Sequence, residues 1–413
     1  MPVGNRAEQA RVSFAQRFAE LDCWLQQHQQ LWRPKPFTQL TLEWEADYPE
    51  LSGWLRQRTL AEAEAAHHQP QLLSAPAPFT QLAAEAQEFC RLPRWQGDST
   101  GHLPEPLYRH VPGRKWQQIT EFAYATTARF DQPTVRWVDW CAGKGHLGRL
   151  LAWQGGQSLT CLEHDPALNL AGAELSSALG IDATHMDKDV LAADASMLFD
   201  NSDSLVALHA CGQLHTTLLE RVVSRSCHQL ALSPCCYNRI AGENYQPLSV
   251  VARKARLQLS RDDLGLPLQE TVTAGRRERE QRDRSMAWRL AFDLWQREER
   301  GRDEYLSTPS KPLGGTAQGF AGFCHSLAAH HRLHLAAPAS WTQLESRGWQ
   351  RLAQVRNLEL VRGLFRRPLE IWLLLDRALY LQDAGYRVQL GEFCAPSLTP
   401  RNLLLLAEKM SDN

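Results

Sequence analysis

The stretch VRWVDWCAGKGHLGRLLA, residues 135–152, constrains the fold of this chain more than any other part of the sequence. It passes from a short apolar run that ends at Asp139, through three glycines, into apolar residues at helical spacing. A strand, a tight glycine turn and a helix in that order begin a unit of a parallel sheet. Because an open parallel sheet binds ligands beyond the carboxyl ends of its strands, the stretch predicts a ligand at this loop.

Strand-length apolar runs alternate with helix-length segments after this point, which is typical of a parallel sheet with helices on both faces. The predicted strands are 135–139, 157–163, 183–187, 204–209 and 229–233. Two further strands are predicted in YRVQLGEFC and NLLLLAEK near the C-terminus, and we expect both to return to the same sheet. The predicted fold class is therefore α/β, with seven strands in one sheet.

The apolar pattern also divides the chain into four segments. Residues 1–110 carry apolar residues at helical spacings and are expected to form a helical N-terminal region. Residues 111–249 are expected to form the sheet core. A large helical insertion is predicted over 250–385, interrupted by the glycine-rich KPLGGTAQGFAGF, and residues 386–413 are expected to complete the sheet.

The composition limits the classes of protein to which the chain can belong. Its 413 residues carry 45 Lys and Arg against 46 Asp and Glu, so the strongly basic field of many nucleic-acid binders is absent. No apolar run approaches the roughly 18 residues of a membrane helix, and the first residues lack the apolar core of a signal peptide. Ten cysteines are too few for a disulfide-stabilised chain of this length. We therefore expect a soluble, cytoplasmic protein that does not bind membranes.

The glycine loop leaves two classes of ligand open. Residues 143–148 satisfy the pattern G-x-G-x-x-G and do not match the phosphate loop of nucleoside triphosphatases, so a dinucleotide and S-adenosylmethionine remain. Both need an acid at the end of the second strand for the ribose hydroxyls, and Glu163 occupies that place. Asp139 favours S-adenosylmethionine, because its carboxylate would attract the ammonium group of that donor and repel a pyrophosphate.

Several stretches of the sequence together resemble one family. VDWCAGKGHLGRLLA resembles the first motif of S-adenosylmethionine-dependent methyltransferases. HACG, SPCCYNR and the C-terminal LLLDRALYLQDAGY with SLTPRNLLLLAEK resemble the methyltransferase-like family that includes the ribosomal RNA adenine dimethylase domain-containing protein. The resemblance covers residues 112–240 and 368–409. It implies a Rossmann-like methyltransferase sheet, S-adenosylmethionine as the methyl donor, and an acceptor in ribosomal or transfer RNA.

The resemblance also implies which residues bind the donor. Asp139 and the backbone of 141–145 are expected to hold its amino-acid end, and Glu163 its ribose. Asp189, with Asp187 as a close alternative, is expected near the adenine, although either acid could instead cap a helix. The first position of that backbone segment is a cysteine where the family has glycine, which the loop tolerates if the φ of Cys141 is negative. The predicted donor contacts are Asp139, Cys141, Gly143, Lys144, Gly145, His146, Leu147, Glu163, Asp189 and His209.

The cleft between HACG and SPCCY is expected to receive the acceptor, at the ends of the fourth and fifth strands. Tyr237 could stack on the acceptor or could instead cover the end of the sheet. His209 could act as a general base or only make ordinary hydrogen bonds. Methyl transfer mainly requires alignment and the exclusion of water. The predicted catalytic residues are His209, Cys236 and Tyr237, and the predicted acceptor contacts are Cys211, Gly212, Pro234, Cys235 and Tyr237.

The same motifs contain thiols and imidazoles, a combination that suits zinc. The candidates are Cys211, Cys235, Cys236, His209 and His215. The spacing lacks a C-x-x-C pair, and adjacent cysteines can rarely bind one ion together. We therefore expect no metal, and cysteines that pack as small apolar residues.

Basic residues of the insertion are the candidates for an RNA-binding face. Residues 251–302 carry 13 basic and 9 acidic side chains, and Arg356, Arg362, Arg366 and Arg367 form a second cluster. Such a face would neutralise phosphates, whereas the alternative is a set of solvated helices with ion pairs. Methylation of a protein or a small molecule, a non-catalytic adaptor that keeps the sheet, and a dinucleotide-binding oxidoreductase stay open as alternative functions.

Overall fold

The computed structural model describes residues 13–95, 103–269, 276–309 and 319–410. The chain forms two compact units, each assembled from separated stretches of sequence. The first, here called the sheet unit, comprises the described residues within 1–24, 90–272 and 369–413. The second, the helical unit, comprises the described residues within 25–89 and 273–368.

The described residues form seven strands and fourteen α-helices. The strands are β1 (Arg136–Trp140), β2 (Ser158–Glu163), β3 (Ala183–Asp187), β4 (Asp203–Cys211), β5 (Gln229–Cys235), β6 (Tyr386–Glu392) and β7 (Leu403–Lys409). The helices are α1 (Phe14–Gln27), α2 (Gln29–Trp32), α3 (Trp44–Asp47), α4 (Pro49–Gln57), α5 (Leu60–Ala66), α6 (Phe79–Phe89), α7 (Gly113–Thr127), α8 (His146–Gly155), α9 (Pro166–Ala178), α10 (Gln213–Arg225), α11 (Arg276–Arg300), α12 (Gly319–His330), α13 (Trp341–Gly363) and α14 (Arg366–Asp383).

The seven described strands pair in one sheet, in the order β3-β2-β1-β4-β5-β7-β6. Strands β1 to β5 run parallel, β7 is antiparallel to β5, and β6 is antiparallel to β7. The predicted Rossmann-like sheet is therefore confirmed, including the return of the last two strands. Each predicted run overlaps an observed strand whose ends differ from the prediction by two residues at most.

The central strands β1, β2, β4 and β5 are largely buried, as expected for a covered parallel sheet, whereas β3 at the edge has no buried residue. All seven residues of β5 are buried. Leu147 and Leu150 on α8 pack into the same apolar cluster as Trp137 on β1. At the amino end of β1, Arg136 pairs with the buried Asp203, with Nη2 and Oδ2 2.5 Å apart. The opposite, carboxyl edge of the sheet is where the predicted site residues lie.

The helical unit has an aromatic core between its long helices. Trp288, Phe292 and Trp295 on α11 pack against Phe323 on α12. The predicted glycine-rich break lies mostly outside the described residues, which resume at Gly319, where α12 begins. Across the described part of the chain, every helix is too short or too polar to cross a lipid bilayer.

The arginines predicted to form a second basic cluster mostly bind protein atoms within the helical unit. Arg362 is 5% exposed, and its Nε donates to the carbonyl of Trp32 at 2.8 Å. Arg366 is 6% exposed and donates to the carbonyl of His67 at 3.1 Å. Arg356 pairs with a buried aspartate at 3.0 Å. These three guanidinium groups already bind protein carbonyls and a carboxylate, an arrangement that favours the alternative of ion-paired helices over a phosphate-binding face.

Candidate functional site

The carboxyl edge of the sheet brings together the ends of β1, β2, β4 and β5. Asp139 and Glu163 lie there on neighbouring strands, beside the glycine loop that leads into α8. Cys211 and Cys235 are paired in register at the ends of β4 and β5. Both motifs predicted to form the site therefore meet at one edge, as the topology of a parallel sheet requires.

The glycine loop turns tightly against β2 and β3. Gly145 has a φ of 68°, and a Cβ atom there would lie 2.8 Å from Sγ of Cys161 and 3.0 Å from Cε1 of His185. A side chain at this position would meet both neighbours and would also require a left-handed backbone. Gly145 therefore lets the start of α8 approach the sheet.

Cys141 has a left-handed backbone. Its φ is 57°, so the negative φ at which a cysteine would fit this position without strain is not adopted. A residue with a side chain adopts this left-handed conformation at a cost of about 1–3 kcal/mol. The loop imposes on the cysteine the backbone that the family's glycine would adopt freely. Burial raises the pKa of the Cys141 thiol to about 12, so the thiol is neutral.

Asp139 is a buried carboxyl group with a single described hydrogen bond. It is 3% exposed, and its Oδ2 accepts from the backbone N–H of Gly148 on α8 at 2.9 Å. Burial raises the pKa of Asp139 to about 7, although the Gly148 N–H and the charge of Arg149 oppose the shift. A nearby cation would restore the charged form, so the group is suited to an ammonium ligand.

Glu163 links the glycine loop after β1 to the turn after β2. Its Oε2 accepts from the N–H of Gly143 at 2.8 Å, and its Oε1 accepts from the N–H groups of His164 and Asp165 at 2.9 and 3.0 Å. The side chain is partly exposed. Glu163 thus fixes the glycine loop and still presents its carboxylate to solvent beside the loop.

The other residues predicted to bind the methyl donor would contact it mainly through their backbone atoms. The side chain of Lys144 is exposed, and that of Leu147 is buried in the apolar cluster of the sheet unit. His146 Nδ1 lies 3.0 Å from Nη2 of Arg149, and burial lowers the pKa of His146 to about 4. Asp189 is exposed and accepts from the N–H of Leu191 at 2.9 Å, so it closes a turn after β3.

His209 lies on β4 with a φ of 64°, and α7 supplies its partner. Its Nε2 is 2.9 Å from Oε1 of Gln118, while Nδ1 is buried without a hydrogen-bond partner among the described residues. Burial lowers the pKa of His209 to about 4, so the ring is neutral at physiological pH. The sequence did not identify Gln118, which lies in GRKWQQI, the segment just before the first strand.

Three thiols meet where HACG and SPCCY adjoin. The Sγ atoms of Cys211 and Cys235 are 3.4 Å apart, and those of Cys211, Cys235 and Cys236 all lie within 4.8 Å of one another. A hydrogen bond from the Cys235 thiol lowers the pKa of Cys211 to about 6. The adjacent Cys235 and Cys236 both reach this cluster, and Cys236 has a φ of 48°.

Tyr237 is buried against other side chains of the protein. It is 2% exposed, with its ring 5.6 Å from that of His215 and the guanidinium carbon of Arg377 5.0 Å from its ring centroid. Protein side chains already contact the ring, which favours the alternative in which Tyr237 covers the end of the sheet over stacking on an acceptor.

Arg377 belongs to a buried polar network that sequence reasoning missed. Its Nε donates to Nε2 of His215 at 3.0 Å, and its Nη1 donates to the hydroxyl of Tyr245 at 3.1 Å. That hydroxyl in turn donates to Asp376, which also accepts from the N–H of Ser249 at 2.8 Å. The available signal was the Asp-Arg pair inside the apolar run LLLDRALYL, because charges in a buried helix need partners.

A cavity of about 590 Å³ lies at the other edge of the sheet unit. Phe130, Trp137 and Gln157 are among the residues that line it, around the amino end of β1. Open parallel sheets bind ligands at the carboxyl ends of their strands, so we do not place the donor in this cavity.

Comparison with known proteins supports the assignment of the sheet. Residues 114–243 match the model of a protein family described as a methyltransferase domain. This range contains β1 to β5, the glycine loop and both cysteine motifs. The prediction of a methyltransferase domain is therefore confirmed. A search of curated proteins found no match to the chain.

Several solved structures are similar to the chain at low identity. The plantazolicin methyltransferase BpumL in complex with SAH is 15% identical, with 42% of this chain and 59% of that chain covered and a TM-score of 0.21. BamL, in complex with a triazolic desmethylPZN analog and SAH, is 15% identical, with 44% and 59% covered and a TM-score of 0.22. Coclaurine N-methyltransferase, bound to N-methylheliamine and SAH, is 13% identical, with 54% and 58% covered and a TM-score of 0.26. The chain thus spans about three fifths of the length of these relatives.

Proposed function

We propose that the chain transfers a methyl group from S-adenosylmethionine to a nucleophile held between residues 209–212 and 233–237. The observation that carries the proposal is the pair of acids beside the glycine loop. Asp139 is buried and forms no salt bridge among the described residues, which suits the ammonium group of the donor. Glu163 is partly exposed at the end of the next strand, which suits the ribose hydroxyls.

In the proposed reaction, the bound donor supplies an electrophilic methyl group on a sulfonium sulfur. The protein aligns the nucleophile with that methyl group and excludes water. Asp139 and the loop backbone hold the amino-acid end, and Glu163 holds the ribose. His209 is neutral and hydrogen-bonded to Gln118, so it positions the acceptor rather than acting as a strong base. The acceptor proton passes to water or buffer.

We propose RNA as the first acceptor class to test. Support comes from the resemblance of the motifs and from the exposed Arg277, Arg279 and Arg284 on α11. The exposed Glu278 and Glu280 alternate with these arginines and reduce the local charge. Protein and small-molecule acceptors are therefore assayed in parallel, with radiolabelled donor and separate pools of RNA, peptide and small metabolites. Methyl incorporation into RNA that ribonuclease removes would support the RNA proposal, and incorporation into another pool alone would contradict it.

The donor proposal is tested by calorimetric titration with S-adenosylmethionine and S-adenosylhomocysteine. We expect Glu163→Ala to weaken binding about 10- to 30-fold, since it loses hydrogen bonds to the ribose and releases the N–H of Gly143. Glu174→Ala is the matched control, because Glu174 is an exposed acid on α9, and it should bind as the unaltered chain does. Folded protein that binds neither compound would refute the proposal. Binding of NADH in their place would establish the dinucleotide alternative.

A further inference from the structure

The three thiols at the junction of HACG and SPCCY have the spacing of a metal site. Four ligands around zinc, with Zn–S distances near 2.3 Å, place sulfur atoms ~3.8 Å apart. The Sγ atoms of Cys211 and Cys235 are 3.4 Å apart, and all three Sγ atoms lie within 4.8 Å of one another. Small side-chain rotations would bring the three sulfurs to tetrahedral positions around one ion.

The backbone at this junction is shaped so that the thiols converge. Successive side chains of a strand point to opposite faces, which would separate Cys235 from Cys236. The left-handed φ of 48° at Cys236 ends the strand and turns its thiol back towards Cys235. A left-handed cysteine costs about 1–3 kcal/mol, so the surrounding structure must hold it in place.

Gly212 provides that support. It has a φ of 52°, and a Cβ atom there would lie 2.2 Å from the carbonyl oxygen of Arg239. Its N–H donates to the carbonyl of Cys235 at 2.9 Å, and the N–H of Arg239 donates to the carbonyl of Cys236 at 3.0 Å. These hydrogen bonds therefore hold the turn after β5 against the start of α10. This close approach accounts for the glycine at position 212.

The electrostatics of the junction favour a thiolate at Cys211. Cys211 immediately precedes Gly212, the N-cap of the 13-residue helix α10, so the positive end of a helix lies beside the thiols. The guanidinium group of Arg239 adds positive charge to the surroundings of Cys211. Cys211 and Cys236 are partly exposed, whereas Cys235 is buried, so an ion can enter from solvent.

We propose that Cys211, Cys235 and Cys236 bind one soft divalent cation, of which zinc is the best match to three sulfur ligands. Binding deprotonates the three thiols and releases their protons to solvent. A fourth position stays open, as in zinc sites that bind water or a substrate. The proposal replaces the sequence-based expectation of no metal and does not depend on methyl transfer.

The test is the metal content of the full chain, purified without chelator and measured by inductively coupled plasma mass spectrometry. We expect about one zinc per chain, and a loss of tenfold or more in Cys211→Ser and Cys236→Ser. Cys23→Ser is the matched control, because Cys23 is exposed in α1, and it should keep the zinc. Cobalt added to zinc-depleted, unaltered chain should give the sulfur-to-cobalt charge-transfer band of a tetrahedral thiolate site, a readout that requires no variant.

Three results would overturn the metal proposal. The first is a folded chain, able to bind S-adenosylhomocysteine, that stays free of zinc and cobalt when either is supplied. The second is a zinc content that the Cys211 and Cys236 variants retain. The third is a disulfide between Cys211 and Cys235 in freshly purified, metal-free protein, detected by thiol titration and peptide mass mapping. Titration with S-adenosylhomocysteine in the same samples separates each result from a failure of donor binding.

Discussion

Asp139→Asn is expected to weaken S-adenosylmethionine binding about 100-fold, or ~2.7 kcal/mol, while it stabilises the free protein at alkaline pH. The affinity falls because the variant loses the buried negative charge proposed to pair with the donor's ammonium group. The hydrogen bond from Gly148 can persist, since the asparagine oxygen can also accept it. The substitution therefore removes the charge and keeps the shape of the site.

The stability effect follows from the pKa of Asp139, which burial raises to about 7 in the folded chain. A carboxyl group with a raised folded pKa contributes stability below its ordinary pKa, and that contribution is lost as the pH rises through about 7. Asparagine does not titrate. We therefore expect Asp139→Asn to be more stable than the unaltered chain by about 4 kcal/mol at about pH 9, and by only about 2 kcal/mol at about pH 5.

Urea unfolding at both pH values and calorimetry with the donor measure the two effects. Asp182→Asn is the matched control, because Asp182 is exposed and its replacement should change neither quantity. A stability difference between Asp139→Asn and the unaltered chain that is the same at both pH values would show that Asp139 does not titrate near neutrality. Undiminished affinity for S-adenosylmethionine in the variant would remove Asp139 from the proposed donor site.

The sheet was predictable from the sequence because its signal is local. Each strand is a short apolar run bounded by turn residues, and the helices between them are long enough to cross over. The positions of Asp139 and Glu163 follow from the same pattern, since each acid stands at the carboxyl end of a predicted strand. The acidic residue type and the position at the end of a predicted strand were together sufficient to place both acids beside the glycine loop.

The parts that could not be predicted depend on backbone angles and on contacts distant in sequence. The sequence does not show that Cys141 and Cys236 have left-handed backbones, because the surrounding structure imposes those angles. Arg362 looked like a surface charge, yet it binds the carbonyl of Trp32, 330 residues earlier. Hydrogen bonds between residues so far apart in the sequence decide whether an arginine faces solvent or protein. The spacing of apolar residues carries no information about such bonds.

The network around Arg377 is the clearest such case, and its loss should have the largest effect on stability. Arg377→Met is expected to lower the free energy of unfolding by about 3–5 kcal/mol, which is the typical cost of removing one member of a buried charged cluster. Arg377 is 1% exposed, and the variant would leave Nε2 of His215 and the hydroxyl of Tyr245 without their donor. Because Nδ1 of His215 lies 3.1 Å from the carbonyl of Ala210, which can only accept, Nε2 must be the acceptor for Arg377.

Urea unfolding of Arg377→Met is compared with that of Arg253→Met, which removes an exposed arginine and should change stability by about 0.5 kcal/mol at most. A double-mutant cycle with His215→Phe isolates the contact between the two side chains, and we expect a coupling energy of about 1–3 kcal/mol. Equal effects of Arg377→Met and Arg253→Met would show that the network is not a main source of stability. A coupling energy near zero would show that Arg377 acts through Tyr245, Tyr237 and the carbonyl of Leu373 rather than through His215. A large coupling energy would instead identify the His215–Arg377 pair as the support that fixes the start of α10, and with it the position of Cys211 at the candidate site.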